Sequence, residues 1–190
     1  MKGERVWGIC QRVARGLWYR EVPSEVYVRS VAGLLFGTAA QESALVYERQ
    51  LTPRWEGDVG GFSKWQLEKM SVLRGVEEFR KNDGYGLRAT RLVFGDRGAN
   101  LSWLWVSLET LLWAMRMDDN DMLGCVFARE HYRRCPGLVP ETVNGQAEYW
   151  KRFYNTELGK GTVEQYIGNW NRLCRPVVEC VGYMTKEDER

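Results

Sequence analysis

Glu42 lies on the apolar stripe of a helix, where a carboxylate is either a cost to the fold or a tool. Val28, Val31, Leu35, Thr38 with Ala39, Leu45 and Val46 recur every three or four residues. They mark one face of an amphipathic helix within residues 26–51. Glu42 falls on that face, four residues after Thr38 and three before Leu45. An inward carboxylate is costly unless it is paired, hydrogen-bonded or kept protonated. Desolvation raises its pKa, which a general acid working near neutral pH requires. The same placement suits a structural carboxylate tied to an arginine or a backbone amide, and periodicity alone leaves the two readings level.

Other reactive constellations are scarce. The chain has one histidine, His131, which disfavours both a histidine-based metal site and a Ser-His-Asp triad. The cysteines Cys10, Cys125, Cys135, Cys174 and Cys180 lack zinc-type spacing. Cys10 and Cys125 sit in helical patterns as small apolar residues. Cys174 and Cys180 flank Pro176 and are candidates for a disulfide, although the thiols are expected to be reduced. Asp118-Asp119-Asn120-Asp121 carries enough charge for calcium, but the EF-hand spacing is absent and a helix-capping turn is the preferred reading. No cofactor and no metal are expected.

Gln41-Glu42-Ser43, followed by Trp65-Gln66-Leu67-Glu68, resembles the Glu-Ser and Gly-Leu-Met-Gln motifs of soluble lytic transglycosylases and goose-type lysozymes. The closer likeness is to phage-encoded wall-degrading proteins of that superfamily. It extends through Gly37 to Ser43, Arg49-Gln50-Leu51, Tyr154-Asn155-Thr156 and Gly159-Lys160-Gly161-Thr162. The resemblance implies a mainly α, lysozyme-like single domain, with a catalytic core near residues 24–175. It also implies a glycosidase that cuts peptidoglycan between N-acetylmuramic acid and N-acetylglucosamine. Most glycosidases use two carboxylates, whereas this group uses one glutamate because the sugar's N-acetyl group attacks internally.

By that match Glu42 is the acid/base and Ser43 its hydrogen-bonding companion near the N-acetyl group. Gln66 binds sugar hydroxyls or orients Glu42, and Glu68 follows it as a supporting carboxylate. Asp58, with Glu56, occupies the loop where goose-type lysozymes carry further acids, and is the candidate second carboxylate. The third motif, Ala-Tyr-Asn, has two candidates. Tyr132 stands four residues before Pro136, as in the motif, but has Arg133 where the asparagine belongs; Tyr154-Asn155 keeps the dipeptide further along the chain. Tyr132 is preferred. Blander readings remain for Ser43 as an exposed helix serine and for Glu68 as a first-turn glutamate.

Two departures matter. Ser63 and Lys64 replace the glycine and apolar residue before the motif glutamine, and no proline follows Glu68. Lys64 paired with a cleft carboxylate would lower its pKa and work against an acid. The alternative is therefore a non-catalytic phage virion or ejection protein that keeps the fold.

The elements needed to hold these residues can be traced along the chain. Val6, Ile9, Cys10, Val13 and Leu17 space a first helix, and Ser24 is the N-cap of the helix bearing Glu42. Residues 52–63, with Pro53, Gly57, Gly60 and Gly61, read as a loop with at most a small hairpin. Ser63 and Gln66 have capping-box spacing for a helix through Leu67, Met70, Leu73, Val76 and Phe79. Asn82-Asp83-Gly84 is a turn before a short helix from Leu87 to Phe94. The most apolar helix spans Leu101 to Met115, and others span Met122 to Arg134 and about Gly145 to Glu157. Thr162 and Gln165 form a capping box for the last helix, and residues 184–190 are a charged, flexible tail.

At 190 residues the chain fits one domain with a sizeable core. A net charge of +2 gives little support to nucleic-acid binding. Nine Trp and nine Tyr can stack on sugars, though most belong to a helical core. No signal peptide and no membrane-spanning run is visible. The expected partners are a peptidoglycan glycan strand and other phage virion proteins. The expected setting is a virion, or the host cytoplasm with release to the periplasm and cell wall.

Overall fold

The computed structural model describes residues 2–18, 22–46, 61–96, 106–115 and 120–181. Among them nine α-helices follow in order. These are α1 Lys2–Gly16, α2 Glu25–Ser43, α3 Lys69–Lys81, α4 Asp83–Phe94, α5 Leu108–Ala114, α6 Asp121–Arg133, α7 Val143–Trp150, α8 Val163–Asn169 and α9 Arg175–Cys180. Two π-helical turns, Lys151–Asn155 and Trp170–Cys174, extend α7 and α8. The described chain is mainly α, with no strand and a single antiparallel bridge between Phe62 and Leu67.

Helix α2 starts where the sequence places it, with the Ser24 Oγ accepting from the Tyr27 N–H at 3.2 Å. It ends at Ala44 and Leu45, both with positive φ (51° and 62°). The expected single apolar stripe needs correction: every residue from Ser30 to Ala40 is buried, so the helix is enclosed on all sides. Its small residues make this packing feasible. A side chain at Gly37 would collide with the Tyr166 hydroxyl of α8, so glycine there lets the two helices approach closely. Helices α1, α6, α7 and α8 cover the other faces, and their buried side chains join one continuous core with those of α3 and α4.

Several boundaries differ from expectation. Asn82 is an N-cap rather than the start of a turn, its Oδ1 accepting from the Tyr85 N–H at 2.8 Å, so α4 begins at Asp83 directly after α3. The Ser63–Gln66 capping box does not form, because α3 starts only at Lys69, with Glu68 at its N-cap. Residues 63–66 instead make a tight turn, closed by the Gln66 N–H to the Ser63 carbonyl at 3.1 Å and flanked by the Phe62–Leu67 bridge. The capping box at Thr162 and Gln165 is present in full. All five cysteines are free thiols, so Cys174 and Cys180 are not joined. The first part of the expected 101–115 helix, Asp118, Asp119 and the 184–190 tail lie outside the described residues.

Candidate active site

Glu42 occupies the last turn of α2 and is half-buried. Its Oε1 accepts a 2.9 Å hydrogen bond from the indole Nε1 of Trp150, a fully buried residue that ends α7. Beyond Trp150 the chain enters the π-turn, whose wider winding carries Tyr154 and Asn155. The Tyr154 hydroxyl donates to the Trp65 carbonyl at 2.5 Å. This ties the π-turn to the tight turn that bears Gln66. The Trp65 indole in turn donates to the Leu35 carbonyl at 2.8 Å and anchors the tight turn on α2.

Tyr132, from α6, stacks on Tyr154 with ring centroids 5.2 Å apart. Its hydroxyl lies 2.7 Å from the Thr38 Oγ1. That Oγ1 already donates to the Leu34 carbonyl, so the phenol is the donor. Burial pushes the Tyr132 phenol up, with the neighbouring Tyr166 and Tyr154 phenols and the Glu42 charge adding to it. Tyr154 is pushed up by burial, then by the charges of Glu42 and Glu68. Two neutral phenols thus lie within electrostatic reach of the Glu42 carboxyl, with their hydroxyls bonded to Thr38 and to the Trp65 carbonyl.

Comparison with family models, curated proteins and solved structures gave no match.

The remaining sequence-predicted residues divide. Ser43 is buried, and its hydroxyl donates back to the Ala39 carbonyl at 2.8 Å, so it is not an exposed helix serine. Gln66 adopts φ 48° and its Nε2 donates to the Ser63 carbonyl at 2.7 Å. Glu68 is exposed at the head of α3, close enough for its charge to act on Tyr154. The Asn155 Oδ1 accepts from the Lys151 Nζ at 2.8 Å, and the same ammonium donates to the Gly159 carbonyl at 2.9 Å. Asp58 and Glu56 lie outside the described residues.

The Lys64 ammonium meets a carboxylate of α6. Lys64 is buried, and its ion pair is with Asp121 at 2.7 Å, in the first turn of that helix, with Arg5 of α1 at 3.7 Å from the same carboxylate. Asp121 therefore serves a buried ion pair rather than an exposed acidic turn. No group of three potential metal ligands occurs among the described residues.

Sequence reasoning missed Trp150 and the lattice beside it. The Gln41 Oε1 accepts from the Asn169 Nδ2 at 2.8 Å, and Arg172 donates to the Asn169 Oδ1 at 2.7 Å. One signal was available, since Trp150 precedes Tyr154 by four residues and so shares its helical face. The arrangement supplies one carboxyl group, a hydrogen bond to one of its oxygens and neutral hydroxyls nearby. It can transfer a proton to and from a bound substrate.

Proposed function

We propose that this chain is a peptidoglycan-cleaving glycosidase of phage origin with a lysozyme-like fold. It cuts the β-1,4 bond between N-acetylmuramic acid and N-acetylglucosamine, with Glu42 as the single acid/base. The observation that carries this reading is the Glu42 carboxyl, half-buried, held by the Trp150 N–H and within electrostatic reach of two neutral tyrosines. Glu42 gives its proton to the glycosidic oxygen as that bond breaks, and the sugar's N-acetyl oxygen takes the vacated position on the anomeric carbon. The carboxylate then recovers a proton from the hydroxyl that displaces the N-acetyl group. Water as that hydroxyl gives a hydrolysed end, and the sugar's own hydroxyl gives an anhydro end.

The test is digestion of purified cell walls by wild type and Glu42→Gln, followed by mass spectrometry of the released muropeptides. Glycan fragments from wild type alone support the reading, and their masses assign the reaction. A folded wild-type protein that releases none overturns it. One observation favours the second reading, a virion or ejection protein that keeps the fold without the chemistry. The side chains of Ser43 and Gln66 both bond to their own backbone surroundings. That reading expects no fragments but co-sedimentation with walls or with other virion proteins.

A further inference from the structure

The indole of Trp150 is held by two contacts. One face lies against Tyr166, with ring centroids 5.4 Å apart and planes tilted by 34°. Tyr166 is itself seated over Gly37 of α2, its hydroxyl donating to the Leu34 carbonyl at 3.4 Å. On another side the backbone at Gly161 comes so close that a Cβ there would lie 2.6 Å from the indole Cη2. The segment that brings Gly161 there is fastened by Lys151, which bridges Asn155 and the Gly159 carbonyl. Gly159-Lys160-Gly161 thus acts as a backstop for a ring whose one polar atom points at Glu42.

An indole N–H donates and never accepts. The oxygen facing it must therefore act as acceptor in both protonation states of the carboxyl. In a neutral carboxyl the carbonyl oxygen is the better acceptor, so Oε1 is the carbonyl and the proton resides on Oε2. Once the proton has left, the same N–H makes a charge-assisted bond to the carboxylate.

We propose that Trp150 is the positioning residue for Glu42, directing the transferable proton to Oε2 and holding the carboxylate after transfer, with Gly161 fixing the indole in place. The inference rests on the reading of Glu42 as the acid. Tyr132 of α6 and Tyr154 of the π-turn are among the titratable groups that feel the Glu42 charge, and burial keeps both phenols neutral across the working range.

The experiment follows the indole Nε1–H resonance of Trp150 by nitrogen-15 NMR through the titration of Glu42, with the carboxyl carbon of Glu42 read in parallel. In wild type the indole resonance moves with the ionisation of Glu42, and in Glu42→Gln it stays flat. In Trp150→Phe the Glu42 titration moves upward, and kcat for wall cleavage falls roughly tenfold with little change in KM. Gly161→Ala, whose backbone conformation alanine accepts, moves both readouts in the same direction by pushing the ring. An indole resonance that ignores Glu42 overturns the proposal, whether or not the variants fold. So does a well-folded Trp150→Phe with unchanged titration and rate. A wild type that shows the coupled titration but releases no wall fragments leaves the hydrogen bond standing and removes the enzymatic reading alone.

Discussion

At the scale of single residues, Glu42→Gln separates chemistry from structure. A glutamine carbonyl can still accept from the Trp150 N–H, so the fold loses no hydrogen bond there. Thermal stability should hold or rise, because a half-buried charge is removed. Wall clearing should fall about a hundredfold or more, the range expected of a general acid. Melting temperature and clearing rate on one preparation decide it, and near wild-type clearing sinks Glu42 as the acid. The tyrosines give a second comparison. Tyr132→Phe should cost about 1 to 3 kcal/mol of transition-state stabilisation, read from kcat/KM. Tyr154→Phe breaks the tie to Trp65 and should loosen the turn bearing Gln66, read chiefly as a higher KM. If only Tyr154→Phe loses activity, the third motif is Tyr154-Asn155. Glu42 was conspicuous because a carboxylate among the apolar positions of a helix is anomalous by type and position. Trp150 was not, since a tryptophan in a helical pattern reads as core, and no spacing names a partner 108 residues away.

At the scale of elements, the local signals were readable and the tertiary ones were not. The Ser24 N-cap and the Thr162–Gln165 box depend only on residues within one turn, and both formed. Ser63 and Gln66 have the same spacing, yet both take positive φ (62° and 48°) and close a tight turn instead. What decides that turn is distant: Trp65 bonded to Leu35, and Lys64 to Asp121. The π-turn after Trp150 likewise has no local signature and is braced by the Tyr154–Trp65 and His131–Phe153 bonds. The buried Lys64–Asp121 pair gives the prediction at this scale. Asp121→Asn leaves a buried ammonium short of a counter-charge and should cost about 3 to 5 kcal/mol of unfolding free energy. Replacing both partners, Lys64→Met with Asp121→Leu, should recover most of that loss. Urea midpoints of the three proteins test it, and equal losses in single and double variants would show that the pair is not coupled.

At the scale of the whole molecule, the chain's one histidine joins three elements. The His131 Nε2 donates to the Phe153 carbonyl at 2.9 Å, and its Nδ1 lies 3.4 Å from the Ser71 hydroxyl, linking α6 to the π-turn and α3. Burial lowers its pKa from the ordinary 6.5; the Phe153 bond and Glu68 oppose this, while Arg134 and Arg74 add to it. The unfolded chain therefore binds this proton more readily than the folded one. The resulting stability is complete above the unfolded value and is lost as the pH falls from there toward the folded one. Unfolding midpoints between about pH 5.5 and 8 should decline on the acid side in wild type and flatten in His131→Gln. An equal decline in both would place the effect elsewhere.

The thiols give the molecule its own clock. Cys10, Cys125 and Cys174 are buried, and burial drives the Cys125 and Cys174 thiols well up; Cys135 is half-buried, with its thiol pushed up to about 11. Cys180, at the end of α9, is exposed. An alkylating reagent added to the native protein meets Cys180 at once and Cys135 slowly. The last three adducts arrive only as fast as the core opens. Successive mass increments on an unmodified chain would then time its rarest excursions, with no probe attached and no residue changed.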